Sequence, residues 1–109
     1  MRHAYAHDAV LGLAPDADIR APGAAVTTEL CGHWEHDPPC PLAPHHTAAH
    51  RDGADVRLRI LFATEPECEA EVRERIGRAL TAWDIRSCAT GSLRPDEQAH
   101  AGRLVGSPS

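Results

Sequence analysis

The chain has 109 residues, enough for one domain, and only nineteen of them are Leu, Val, Ile or Phe, a thin stock for a self-supporting core. Eleven Arg and no Lys stand against sixteen acidic residues, for a net charge of −5, and without a basic stripe nucleic acid is excluded as the expected partner. No run of about 18 apolar residues reads as a membrane span, and residues 1–13 lack the unbroken apolar stretch of a signal peptide, so the expected location is the cytoplasm, where thiols stay reduced.

Residues 1–25 are rich in Ala, Pro, Gly and Asp, punctuated by Pro15, Pro22 and Gly23. They read as a flexible arm with one apolar knot at Val10-Leu11-Gly12-Leu13. A single small α+β domain is expected over 26–92. Val26 to Leu30, short and containing β-branched residues, reads as a strand that leads into a Cys/His segment. From Cys31 to Asp52 neither a helical nor a strand period is visible, and Pro38, Pro39, Pro41 and Pro44 fix four φ angles and remove four backbone donors. This predicts a stiff loop over 31–52, and a loop of about 20 residues in a compact domain is usually functional or disordered.

Asp55 to Ala63 gives the clearest strand. Val56, Leu58, Ile60 and Phe62 alternate with Arg57 and Arg59, the period of a half-buried strand. Thr64-Glu65-Pro66-Glu67 then reads as a helix start with Thr64 as N-cap. Cys68, Val72, Ile76, Ala79, Leu80 and Trp83 fall on one helical stripe, and Glu and Arg at i,i+4 spacing cover the rest. Ile85 to Ala89 reads as a further strand, so the predicted fold is α+β: a β-α-β unit of two to three strands and one main helix, with a long Cys/His/Pro-rich loop and loose ends. Residues 93–109 read as a weakly structured tail, with a weak helix over Asp96 to Leu104.

Two Cys and five His lie between positions 31 and 50: Cys31, His33, His36, Cys40, His45, His46 and His50. Thiolate and imidazole are the ligands that zinc prefers, normally four in a tetrahedron, and a Pro-stiffened loop loses less entropy when an ion fixes it. The expected ligands are Cys31, His36, Cys40 and one of His45 and His46, with Zn2+ as the ion. His36 and Cys40 flank the rigid Asp37-Pro38-Pro39 turn. His33 and His50 read equally well as solvated side chains.

Named motifs do not fit. Eight residues separate Cys31 from Cys40, and five separate Cys40 from His46, where a two-Cys, two-His finger needs two to four and about twelve. His33-Trp34-Glu35 with Pro39-Cys40 lacks the second Cys of the zinc deaminases, since Ala43 stands there. Trp34 reads as a local anchor, and Glu35 as an exposed carboxylate unless a metal-bound water needs a base. Cys68 reads as a small core residue, and Cys88 joins the site only if its strand lies beside it.

The expected function is therefore a small accessory or interaction protein with a structural zinc site. The alternatives are a metal-dependent enzyme or small-molecule pathway component with an open three-ligand site, and a metal sensor or carrier. An unpaired sheet edge and the large Trp83 point to a homodimer or a protein partner.

Overall fold

A computed structural model describes residues 2–31 and 43–106, with the backbone alone at Cys31. In chain order these residues form β1 (His3–Gly12), α1 (Ala21–Cys31), β2 (His45–Asp52), β3 (Asp55–Thr64), α2 (Glu69–Ala79), β4 (Asp84–Gly91) and α3 (Gln98–Val105). One-turn 3-10 segments precede α2 (Pro66–Cys68), follow it (Leu80–Ala82) and precede α3 (Pro95–Glu97). The sheet order is β2-β3-β1-β4, and every neighbouring pair is antiparallel. It follows that β1 and β2 run parallel with β3 between them, and β3 and β4 run parallel with β1 between them. Each helical crossover thus spans one intervening strand, a doubled split β-α-β arrangement.

The α+β class holds, and β3, α2 and β4 stand where the sequence places them. Several details are corrected. The expected arm over 1–25 contains the central strand: His3 pairs with Thr64 and Gly12 with Asp55 on one side, while Ala6 to Gly12 pair with β4 on the other. Its Tyr5, His7, Ala9 and Leu11 do alternate towards the helices, but two of these are Ala and His, and the period is faint. The expected strand Val26–Leu30 is helix. Pro22, Val26 and Leu30 are buried at four-residue spacing, and Pro22 sits in the first turn, where its missing N–H costs nothing.

The expected loop over 31–52 ends early, because 45–52 form β2. That strand has no apolar alternation to announce it; its burial alternates only between half-buried and exposed. Backbone bonds to β3 hold it, through a two-residue hairpin in which Gly53 takes φ +65°. A positive φ at the first central residue alone is the type II′ pattern, which glycine adopts without strain. There are four strands and three helices among the described residues, not one main helix. Thr64 is buried at the end of β3, and no side chain caps α2.

The main core lies between the sheet and α1 and α2. Leu11, Val26, Leu30, Val56, Leu58, Ile60, Phe62, Val72, Ile76 and Leu80 are all nearly or fully buried there. At about 1.5–3 kcal/mol for each large side chain withdrawn from water, this layer dominates the stability. The second face is smaller: Ala6, Leu61 and Ala63 pack against Leu104 of α3. Leu61, which the sequence sets on the Arg57/Arg59 face, finds its cover there. No helix among the described residues is long and apolar enough to cross a membrane.

Candidate metal centre

His45 opens β2 on the face that α1 covers. Its Nε2 lies 2.9 Å from Thr27 Oγ1, and its Nδ1 lies 3.1 Å from the Ala43 carbonyl oxygen. A carbonyl only accepts, so in the neutral ring Nδ1 carries the proton and Nε2 accepts from the Thr27 hydroxyl. Thr27 stands one helical turn before Cys31, the last residue of α1. A cleft of about 410 Å³ opens between α1 and β2 beside this contact, lined by Gly23, Thr27, His45 and Thr47. Within it Thr47 Oγ1 is buried without a hydrogen-bond partner among the described residues.

His46, the next residue, points to the opposite face of the sheet, as strand geometry requires. Its ring lies against that of His100 on α3, with centroids 4.6 Å apart and planes inclined by 50°. Partial desolvation beside His100, and then the charge of His100, hold the His46 imidazole below its usual pKa, although much of the residue stays exposed. His45 and His46 therefore cannot serve one ion together while β2 is intact. His50 is exposed on the His46 face, about 13 Å further along the strand.

His33, His36 and Cys40 lie outside the described residues. Cys68 is half-buried and Cys88 exposed, both as free thiols. Cys88 belongs to β4, three strand spacings from β2, a separation of about 14 Å. It neighbours β1 but does not approach the Cys31–His45 end. Among the described residues no three His, Cys, Asp or Glu side chains converge to hold an ion.

Two groups escaped the sequence reading. On the second face Arg59 donates to both oxygens of Glu97 (2.8 and 3.1 Å), to both of Asp8 (2.9 and 3.0 Å) and to the Ser92 carbonyl. Glu97 also accepts from the Arg94 backbone N–H at 2.8 Å. The Arg59 guanidinium, and less strongly that backbone bond, push the Glu97 carboxyl down to about 2. The other group is His100, which no local motif connects to His46, 54 residues earlier. No known family, characterised protein or solved structure matches this chain. Its own geometry must therefore carry the functional reading.

Under the helices, His7 is buried with Nδ1 3.1 Å from an Arg73 guanidinium nitrogen and Nε2 unpartnered among the described residues. Burial, then the positive Arg73, lower its pKa. Arg73 also bonds Glu69 and the Ala6 carbonyl and lies over the Phe62 ring at 5.2 Å. With all of these partners inside the fold, the His7–Arg73 pair reads as a core device.

Proposed function

We propose that this is a small metal-binding accessory protein, with a structural zinc ion held by the segment that joins α1 to β2. The observation that supports it is the Thr27–His45 hydrogen bond of 2.9 Å. It fastens the last turns of α1 to the first residue of β2, the two elements that flank the segment containing His33, His36 and Cys40. Cys31 follows Thr27 by about 6 Å along the helix axis. A loop whose ends are already held has lost much of its closure entropy, so internal ligands bind an ion at less further cost.

The ligands we propose are Cys31, His36, Cys40 and His45, two thiolates and two imidazoles in a closed tetrahedron. Of the pair His45 and His46, the choice falls on His45, because it shares the helix-side face with α1. Its Nδ1–H on a backbone carbonyl is the outer bond that usually orients a ligating histidine. On metal binding the ion would take the place of the Thr27 hydroxyl at Nε2 and, through Cys31, hold the same end of α1 to β2. A closed site of this kind organises a loop and presents it to a protein partner or to a second copy of the chain.

Metal content of protein purified without added metal or a His tag tests this reading. About one equivalent of zinc is expected. Cys40→Ser, His36→Ala and His45→Ala should each lose most of it, and His3→Ala should lose none. Full zinc in the Cys40→Ser protein would overturn the assignment.

A further inference from the structure

The second face carries its own pair of imidazoles, on elements that the chain brings together only by folding. His46 stands on the edge strand β2 and His100 two residues into α3. Both border a cleft of about 190 Å³ with Leu61, Arg59, Asp96 and Glu97. We propose that His46 and His100 together bind a divalent late first-row transition ion, at a site distinct from the proposed ligands Cys31, His36, Cys40 and His45 and on the other face of the sheet from His45.

Ring spacing supports this. A metal–nitrogen bond of about 2.0–2.1 Å, plus about 1.1 Å from nitrogen to ring centre, sets each centroid about 3.2 Å from a shared ion. Two such bonds meeting at roughly 90–110° separate the centroids by about 4.5–5.2 Å. The observed separation is 4.6 Å. That separation falls within the range two ligands of one ion require, with strand and helix in place.

Charge also permits a cation. Arg59 and Arg94 lie in the same cleft, but Asp8, Asp96 and Glu97 bind them. Two guanidinium groups against three carboxylates leave one negative charge. His46 is exposed and His100 half-buried, so an ion reaches both from solvent. Two imidazoles leave coordination positions for water, which suits Cu2+, Ni2+ or Zn2+ in place of a hard ion such as Mg2+. An ion here would tie α3 to the sheet edge and stabilise the native state in proportion to its concentration.

The test uses the full chain with one equivalent of zinc present and sub-stoichiometric Ni2+ as the paramagnetic probe, read on the histidine ring resonances. His46 and His100 should broaden together at the first additions, ahead of His3 and His50. His100→Gln removes the ligand but keeps a polar side chain. It should weaken Ni2+ binding at His46 by at least about tenfold, through loss of the second arm of the chelate. The amide signals of Leu104 and Val105 establish that α3 remains docked. Equal broadening of His46 in wild type and His100→Gln, or earlier broadening of His3 or His50, would overturn the proposal. Zinc content of the His100→Gln protein, expected unchanged, separates this site from the one on segment 31–45.

Discussion

Arg59 is the residue around which the second face is arranged. With only 18% of its side chain exposed, it collects Glu97 and Asp8 as ion partners. A half-hidden guanidinium in mid-strand is stable only when its donors are matched this fully. Gly91 makes room for the pair: a Cβ there would sit 2.5 Å from an Asp8 oxygen and 2.6 Å from an Arg59 nitrogen. The Glu97 carboxyl lies near 2 in the fold, below its ordinary 4.5. Because the folded value is depressed, its contribution is complete above about pH 4.5 and is lost as pH falls from there towards 2. Glu97→Gln should cost about 2 kcal/mol at neutral pH. In thermal melts the gap between wild type and variant should shrink steadily from pH 5 to pH 3. His7 and His46, whose values are lowered, produce a separate loss that begins below about pH 6.5, and the substitution should leave it untouched. A pH-independent gap would show that the Glu97 effect is packing, not charge.

At the scale of elements, legibility followed side-chain size. β3 and α2 were readable because Val56, Leu58, Ile60 and Phe62, then Val72, Ile76 and Leu80, are large enough to write their periods into the sequence. The three i,i+4 pairs Glu69–Arg73, Glu71–Arg75 and Glu74–Arg78 form as their spacing predicts. β1 and β2 were not readable. β1 is central, yet its inward positions include Ala9 and His7, and small residues carry little signal. β2 is an edge strand whose inward positions, His45, Thr47, Ala49 and Arg51, are half-buried; its place is decided by pairing with β3, which no local pattern encodes. The same holds for the candidate sites. The density of Cys and His was plain in the sequence, whereas the opposite facing of His45 and His46 needed the strand, and the His46–His100 pair needed the fold.

The outer strands also bear on assembly. Among the described residues nothing pairs with the free edge of β2 or of β4. β4 is irregular at Arg86, where its register to β1 shifts, and it carries charges at Asp84 and Arg86, both of which discourage strand addition. Residues 45–49 of β2 carry no Asp, Glu or Arg and no Pro, and make the more receptive edge. Light scattering at micromolar concentration is expected to give twice the chain mass of 11.7 kDa. A charged residue in place of Ala48 should shift the protein towards monomer. A monomer at all concentrations would show that this edge is left to a different protein or to solvent.

For the molecule as a whole, one well-filled layer under α1 and α2 supports a second face that α3 covers at one end only. The Cys/His segment joins the end of α1 to the start of β2, two elements that pack on that layer. An ion bound there would add its free energy to a chain whose apolar stock is small. The most direct measurement is X-ray absorption at the zinc edge on protein purified without added metal. A four-coordinate ion with two sulfur neighbours at about 2.3 Å and two nitrogen neighbours at about 2.0 Å is expected. Zinc-free protein, or zinc with a shell of oxygen and nitrogen alone, would contradict it.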